Sequence, residues 1–364
     1  MSEQWSLKPL DEICEILDKF RKPITKKDRV SGEYPYYGAT GIVDYVDDYI
    51  FDEKLILVGE DGAKWKSGDN TAFAVERKCW VNNHAHVIRP NRNIVLDNWL
   101  IYFLNMSDLT KHITGLTVPK LNQGKLRGIL IPIPSLKEQK RIVRILDEAF
   151  ENLNDAIKNA ETTRNSVDEL IETKLQTVFH EDSLEWKKIP FEESIVKVKS
   201  TPKIKKREFK ETGQYPIISQ EMDYVNGYWD DSSDLLTIQH PVVVFGDHTK
   251  TLKYIDFNFV RGADGLKVLQ PREFLLPKFF YYQLKSLKLE TLGYARHYRL
   301  LKQAIIRYPN MEQQQQIISM FDELNEQASQ IKGLYGREMQ SLDELELSIL
   351  REAFSGELTG GIAA

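Results

Sequence analysis

The sequence lacks several features that would identify common classes of protein. Only two cysteines, Cys14 and Cys79, occur among 364 residues, and their spacing matches no metal-ligand motif. We therefore predict reduced thiols in a cytoplasmic protein that binds no metal. No apolar run is long enough to span a bilayer, and the first residues show no basic segment followed by an apolar one. Neither a membrane span nor an export signal is expected.

Signatures of catalysis are also missing. The sequence has no glycine-rich loop followed by Lys and Ser or Thr, and no dinucleotide fingerprint after a predicted strand. Two groups could be considered as metal or general-base sites, namely His84 and His86 with Asp61, and Asp247 and His248 with His297. Their spacings match no ligand motif, and neither group has an equivalent in the other half of the chain. We predict no catalytic residue and no cofactor bound by this chain.

The overall composition is that of a folded protein. The chain is long enough for two ordinary domains, and its hydrophobic content of 41% excludes a disordered chain. The net charge of −5 does not by itself indicate a nucleic-acid partner. Acidic helices can, however, conceal a basic face elsewhere in the same chain.

One sequence pattern occurs twice. An offset of 175 residues places Pro134 on Pro309 and Phe179 on Phe354 without a gap. Matches at this offset include Gln139 with Gln314, Asp147 with Asp322, and Leu175 with Leu350. The chain therefore contains an internal duplication.

Both repeated stretches have the apolar spacing of a coiled coil. Their apolar positions step alternately by four and three residues, with charged residues between them. The predicted seam contains Ile142, Leu146, Leu153, Val167 and Leu170 in the first helix, and Ile317, Phe321, Leu324, Ile331, Leu342, Leu345 and Ile349 in the second. We expect the two helices to pair with each other. The alternative is that each helix packs only on its own domain.

The repeats divide the chain into five segments. We predict globular domains at 1–133 and 181–308, long helices at 134–180 and 309–355, and a tail at 356–364. Short strands mixed with a few helices indicate an α+β fold with two tandem mixed α/β domains. Because the linker after the first helix is short, the helices should be antiparallel and the domains related by an approximate two-fold axis. Each helix would be a spacer of about 65–70 Å.

Two like but non-identical domains at a fixed span suit a long ligand such as DNA, whose half-sites recur at each turn. Basic stretches at 21–27 and 202–207 could neutralise phosphates, and variable loops carry side chains that can read base edges. The alternative interpretations are solvated basic loops and turn caps. The candidate DNA-binding residues are Lys26, Lys27, Tyr37, Ala39, Thr40, Lys64, Asn82, Asn83, His84, Thr117, Lys120 and Asn122 in the first half, and Lys203, Lys205, Lys206, Ser219, Gln220, His248, Lys250, Arg261, Asp264, Arg296, His297, Tyr298 and Arg299 in the second.

Several motifs together resemble the specificity subunits of type I restriction-modification systems. The junction at 131–142 (IPIPSLKEQKRI), its weaker copy at 308–317 (YPNMEQQQQI) and the ending at 350–358 (LREAFSGEL) are similar to that family. Within the domains, the stretches at 37–42, 59–63 and 80–86 look like one type of target-recognition domain, and those at 246–249 and 294–298 look like another. The second junction departs from the family pattern, because only one proline precedes the helix.

The resemblance implies a non-catalytic subunit that recognises a split, asymmetric sequence in double-stranded DNA. Two modification subunits would bring S-adenosylmethionine and adenine methylation, and restriction subunits would bring ATP and Mg²⁺. The family's recognition domains vary too much for base contacts to be transferred. Two other functions remain open: an antiparallel coiled-coil scaffold that joins two protein partners without DNA specificity, and a self-contained nuclease.

Overall fold

A computed structural model describes residues 5–115, 117–180, 185–263, 265–290, 296–356 and 358. The chain forms two compact units. Unit 1 contains residues 1–160 and 336–364, and unit 2 contains residues 161–335. The predicted tail lies almost entirely outside the described residues, as do residues 181–184 of the predicted linker.

The described residues of unit 1 form nine strands. The strands are β1 (Ser6–Pro9), β2 (Cys14–Ile16), β3 (Tyr34–Gly38), β4 (Gly41–Val46), β5 (Leu55–Gly59), β6 (Ala72–Val75), β7 (Trp80–Val81), β8 (Ala85–Pro90) and β9 (Leu130–Ile133). The helices are α1 (Leu10–Ile13), α2 (Asp97–Met106), α3 (Gln123–Arg127) and the start of the long helix α4 (Leu136–His180). The strands form a pair, β1 with β9, a sheet of order β2-β8-β5-β6 and a sheet of order β4-β3-β7.

Unit 2 repeats this plan. Its strands are β10 (Lys187–Pro190), β11 (Ile195–Val196), β12 (Lys203–Ile204), β13 (Tyr215–Ile218), β14 (Gly227–Trp229), β15 (Leu235–Leu236), β16 (Val242–Gly246), β17 (Leu252–Ile255), β18 (Phe259–Gly262), β19 (Leu266–Pro271) and β20 (Ile305–Tyr308). Its helices are α5 (Phe191–Ser194), α6 (Pro277–Ser286), α7 (Tyr298–Leu301) and the start of the long helix α8 (Met311–Ser355). The sheets have the orders β10-β20, β11-β19-β16-β17 and β12-β18-β13-β14, and β15 also pairs with β18.

The strand registers confirm the duplication and the predicted α+β fold. Ser6 pairs with Ile133 in unit 1, and Lys187 pairs with Tyr308 at the matching position of unit 2. The strand before the second long helix is therefore present although its junction keeps only one proline. The central strands β5 and β16 are buried at every residue, which explains their uninterrupted apolar sequences.

Each unit is completed by the end of the long helix that begins in the other. In unit 1, the Phe354 ring near the end of α8 lies 4.5 Å from the Trp99 ring of α2. In unit 2, the Phe179 ring near the end of α4 lies 5.3 Å from the Phe279 ring of α6. Since one helix starts where the other ends in each unit, the predicted antiparallel pairing is confirmed.

A buried glutamine joins the start of each long helix to its domain. Gln139 is fully buried, and its Oε1 accepts a hydrogen bond from the backbone N–H of Leu96 at 2.9 Å. Its Nε2 donates to the carbonyl oxygens of Ile94 and Pro134, both at 2.9 Å. The amide thus satisfies three backbone groups that would otherwise be buried without partners.

Gln314 makes the same three contacts in unit 2. Its Oε1 accepts from Leu276 at 2.8 Å, and its Nε2 donates to Phe274 and Pro309 at 2.9 and 3.0 Å. The match between Gln139 and Gln314 in the sequence is therefore explained by an identical structural role.

A second repeated contact ties α4 and α8 to their domains. The Tyr102 hydroxyl donates to Asp147 in unit 1, and the Tyr282 hydroxyl donates to Asp322 at 2.6 Å in unit 2. The paired aspartates of the duplication are thus the acceptors of a tyrosine on the domain helix.

The strict heptad seam is wrong at three positions. Leu170 is 64% exposed, Leu345 46% and Ile331 37%. On α4, Ala160 is buried, and so is Ile171, eleven residues further on. The heptad pattern requires Leu170 to be buried in place of Ile171. The buried face therefore departs from the heptad stepping by one residue at this point.

The other predicted seam residues are at least partly buried. Ile142, Leu146, Leu153 and Phe321 are buried, and Val167, Ile317, Leu324, Leu342 and Ile349 are intermediate in exposure. Ile142, Leu146 and Phe321 pack in the cores of the domains, as the alternative prediction requires, in which each helix packs on its own domain. The helices therefore carry buried seam residues and also pack on the domains.

Both cysteines are buried as free thiols. Burial raises the pKa of Cys14 and of Cys79 to about 12, so both remain protonated at neutral pH. Among the helices that the structure describes, none combines the length and the apolar character needed to cross a membrane.

Candidate nucleic-acid interface

Four loops of unit 1 meet at the end of β5, and we call them the first loop cluster. They contain residues 37–41, 59–64, 82–84, 114–115 and 117–122. The Glu60 N–H donates to the His84 carbonyl at 2.8 Å, and the Leu121 N–H donates to the Glu60 carbonyl at 2.8 Å. The Asn82 N–H donates to the Tyr37 carbonyl at 3.0 Å. The fold therefore brings together residues that are far apart in the sequence.

Gly59 allows this convergence. A Cβ atom at Gly59 would lie 3.1 Å from the Ala39 carbonyl oxygen and would collide with the Ala63 side chain. Any other residue would thus push two loops of the cluster apart.

Asp61 is the electrostatic centre of the first loop cluster. Its buried carboxylate pairs with Lys120 Nζ at 2.7 Å and with His84 Nδ1. Burial alone would raise the pKa of Asp61, but the hydrogen bonds from Lys120 and His84 outweigh burial and hold the pKa below its usual value. Asp61 is therefore an anion whose charge is already compensated, and it fixes the position of the exposed His84.

A buried polar network lies behind this cluster. Arg21 Nη1 donates to Glu60 Oε2 at 2.6 Å and to the Ala85 carbonyl at 2.8 Å. Its Nη2 lies 3.4 Å from Asp18 Oδ2. Arg21 belongs to the basic stretch at 21–27 that is predicted to neutralise phosphates, and for Arg21 this prediction is wrong because its charge is compensated inside the protein.

His86 completes the same network. Its Nδ1 lies 2.6 Å from Asp18 Oδ2, and its Nε2 lies 2.6 Å from the Leu121 carbonyl oxygen. Asp18, Glu60 and His86 have the spacing of a metal-ligand set. Both nitrogens of His86 are already engaged, however, and the Arg21 guanidinium supplies the positive charge that the carboxylates need. The group therefore fits a structural network and not a metal site.

Unit 2 has an equivalent, second loop cluster at the end of β16, formed by residues 219–221, 246–250 and 296–298 with Gly265. The Asp247 N–H donates to the Gly265 carbonyl at 2.8 Å, and Thr249 Oγ1 donates to the Gln220 carbonyl at 2.6 Å. The Tyr298 N–H donates to Asp247 Oδ1 at 2.8 Å. Asp247 thus organises this cluster as Asp61 organises the first.

A buried lysine that is not among the predicted site residues holds the backbone beside the second loop cluster. Lys253 Nζ donates to the Ser219 carbonyl and to Asn226 Oδ1, each at 3.0 Å, and also to the Asp223 carbonyl. Burial lowers the pKa of Lys253 to about 8. In the sequence of β17, Lys253 stands between Leu252 and Tyr254, and this pattern does not predict that the lysine side chain is buried.

The predicted DNA-binding residues differ widely in exposure. The exposed ones are Lys26, Lys27, Thr40, Lys64, Asn83, His84, Thr117, Asn122, Lys203, Lys205, Lys206, Arg296 and Arg299. Those of intermediate exposure are Tyr37, Lys120, Gln220, His248, Lys250, Arg261 and Tyr298. Asp264 lies outside the described residues.

Four predicted residues are buried: Ala39, Asn82, Ser219 and His297. Asn82 Oδ1 accepts from the His84 N–H at 2.7 Å, and the His297 N–H donates to the Asp247 carbonyl at 2.8 Å. These residues shape the loops in this structure and do not present their side chains to solvent. Asn122 also has a local role, because its Oδ1 caps α3 by accepting from the Lys125 N–H at 3.0 Å.

Comparison with known proteins identifies the family. The model of the type I restriction modification DNA specificity domain matches residues 2–163 and 184–334. These two matches cover most of the chain, and the chain belongs to this family of DNA specificity domains.

Individual relatives agree with this assignment. The chain is 39% identical over 140 residues to a putative type I restriction enzyme specificity subunit of Haemophilus influenzae, covering 38% of this chain and 36% of the relative. It is 23% identical over 250 residues to the MjaVIII specificity subunit of Methanocaldococcus jannaschii, covering 64% and 59%. The matches thus span between about a third and three-fifths of the length of these relatives.

Solved structures share the fold. A chain from work on complex assembly and conformational transition of a type I R-M system aligns with a TM-score of 0.72 at 19% identity, covering 97% of this chain and 98% of that chain. The HsdS subunit from Thermoanaerobacter tengcongensis aligns with a TM-score of 0.52 at 19% identity, covering 97% of both chains.

Proposed function

We propose that this chain is a non-catalytic subunit that reads a bipartite sequence in double-stranded DNA. One loop cluster would read each part. The observation that carries the proposal is a shared scaffold with different loop chemistry. Gln139 and Gln314 make identical contacts, whereas Asp61 with His84 and Lys120 in one unit is replaced by Asp247 with His297 and Tyr298 in the other. Two related scaffolds with unlike loops suit the reading of two unlike half-sites.

The chemistry of methylation and cleavage would lie on partner subunits. Modification subunits would carry S-adenosylmethionine, and restriction subunits would carry ATP and Mg²⁺. The exposed Leu170 and Leu345 on the long helices supply apolar surface of the kind that protein partners cover. This chain would then direct where the partners act.

Site-directed changes in one loop cluster test the proposal. In the assembled methyltransferase, Asn83→Ala should relax discrimination at one half-site by about 1–3 kcal/mol, because Asn can pair with adenine in the major groove. Arg299→Ala should act on the other half-site, since Arg pairs with guanine. The measurement is sequencing of methylated sites recovered from a randomised duplex library.

The matched control is Asn93→Ala. Asn93 is also an exposed asparagine of unit 1, but it follows β8, whereas Asn83 precedes that strand. Asn93→Ala should leave the recovered motif unchanged. A single undivided motif, or loss at both half-sites from one loop variant, would contradict the proposed division of labour.

A further inference from the structure

A strongly basic cavity lies in unit 2, beside the second loop cluster. Its volume is about 650 Å³, and it is bounded by β11, β12, β18 and β19 with Tyr298. Six cationic side chains line it, whereas Glu192 is its only acidic lining residue among those described. The cations are Lys197, Lys199, Lys203, Arg261, Lys267 and Lys302.

Two of these cations have an acidic neighbour, and the remainder have none among the described residues. Lys302 Nζ pairs with Glu192 at 2.6 Å, and Lys267 Nζ lies 3.8 Å from Asp247. No ion pair of the described residues involves Lys197, Lys199, Lys203 or Arg261. The cavity therefore holds a local excess of positive charge in a chain whose net charge is −5.

Arg261 is the cation of the cavity that has a buried side-chain nitrogen without a partner. It lies on β18 directly opposite Lys203 of β12. The only hydrogen bond of its side chain among the described residues joins Nη1 to Ser200 Oγ at a long 3.4 Å, and its Nε is buried without a partner. Partial burial lowers the pKa of Arg261. The neighbouring Thr201 Oγ1 is also buried without a partner.

Unsatisfied buried donors are costly, and a desolvated guanidinium without an anion is more costly still. A bound oxyanion would satisfy the Arg261 side chain, because a guanidinium presents a planar fork of N–H groups that fits phosphate oxygens. The row of unpaired lysines around Arg261 would neutralise further charges of the same ligand. The cavity therefore has the chemistry of a site for linked phosphates.

We propose that this cavity seats backbone phosphates of the bound DNA, with Arg261 as the anchor and Lys199 and Lys203 beside it. The inference rests on the proposed function and assigns Arg261 and Lys203 to phosphate contact, not to base reading. The exposed Lys205 lies two residues after Lys203 in the chain, which extends the positive surface beyond the cavity. Phosphate contacts carry no sequence information, so this site contributes affinity and register to all duplexes alike.

The first test measures duplex affinity of the assembled complex as a function of salt concentration. Wild-type protein is compared with Lys199→Ala/Lys203→Ala and with Arg261→Gln, on target and scrambled duplexes. Each lost phosphate contact should reduce the slope of log Kd against log salt by about 1, and should weaken both duplexes by the same factor. Arg261→Lys should keep most of the slope, and Lys187→Ala, an exposed lysine of β10, should keep all of it.

A second measurement separates contact from folding. Duplexes with a neutral methylphosphonate at single positions of the unit 2 half-site should bind wild-type protein more weakly at one or two positions. At those positions the Arg261→Gln variant should lose nothing further, because the contact is already absent. Independent, additive losses at every position would overturn the proposal.

The outcomes also distinguish the source of the phosphate. If inorganic phosphate raised the melting temperature of wild-type protein but not of Arg261→Gln, while duplex affinity and salt slope were equal, the ligand would be a free anion and the DNA assignment would be wrong. If the wild-type complex bound no duplex at all, the proposed function itself would fail, whatever the variants did.

Discussion

The two units share a scaffold and differ in how they handle charge. In unit 1 two ion pairs compensate charges near the loops, Arg21 with Glu60 and Asp61 with Lys120. In unit 2 the cavity beside the loops keeps cations such as Lys199 and Arg261 without acidic partners among the described residues. On the proposed function, the cavity of unit 2 would add electrostatic affinity for DNA, whereas the ion pairs of unit 1 would hold its loops in place.

The glutamine hydrogen bonds that both units share predict the largest effect on stability. Gln139→Leu and Gln314→Leu should each destabilise the protein by about 3–5 kcal/mol, because each leaves three buried backbone groups without partners. The two losses should be similar, since the hydrogen bonds are the same. Urea unfolding monitored by hydrogen exchange in each unit measures them. A loss of less than about 1 kcal/mol in either unit would show that the two contacts are not equivalent.

The internal charge compensation of unit 1 predicts an intermediate, pH-dependent effect. Burial alone would raise the pKa of Asp18, but hydrogen bonds from His86 and Gln123 lower it below its usual value. A carboxyl with a lowered folded-state pKa stabilises the protein above its unfolded-state pKa of about 3.9, and this stabilisation is lost as pH falls through the lower folded value. The stability difference between wild type and Asp18→Asn, about 2 kcal/mol at pH 7, should therefore shrink below about pH 4.

Chemical denaturation at several pH values measures this difference. Asp48→Asn is a suitable control, because Asp48 is an exposed aspartate of the same unit. Its stability difference from wild type should stay near zero at every pH. A difference for Asp18→Asn that is constant down to pH 2 would contradict the role assigned to the network.

The smallest expected effect concerns the corrected helix seam. Leu170→Gln should change stability by less than about 0.5 kcal/mol, because Leu170 is mostly exposed. Ile171→Gln should cost about 2–4 kcal/mol, since Ile171 packs in the core of unit 2. Thermal unfolding of the two variants compares adjacent residues on one helix. A larger loss of stability for Leu170→Gln than for Ile171→Gln would support the predicted heptad seam.

Much of the scaffold could be predicted from the sequence, because repetition and periodicity are local signals. The long helices and the equivalence of Gln139 with Gln314 follow from one offset of 175 residues, and the direction of the helices follows from the short linker between the halves. The role of these glutamines could not be predicted, since their partners lie in loops about 40 residues away. Leu170 could not be separated from Ile171 by periodicity, because the two residues are adjacent and both are apolar.

The candidate site was less predictable than the scaffold, and for a physical reason. Arg21 and Lys253 are charged residues that the fold turns inward, and a basic side chain in a sequence gives no sign of a distant carboxylate or carbonyl. Exposed loop residues such as Asn83 and His84 were found because turns have recognisable composition. The cavity around Arg261 escaped notice because its cations come from separate strands.

The distribution of the chain between the two units also has a consequence for synthesis on the ribosome. Unit 2 is one continuous segment, so all of its residues are available soon after residue 335 has emerged. Unit 1 also includes the end of α8, and its buried Trp99 packs on Phe354, which is synthesised after the whole of unit 2. The unit whose synthesis begins first is therefore completed second, and part of its apolar core stays open until Phe354 has emerged.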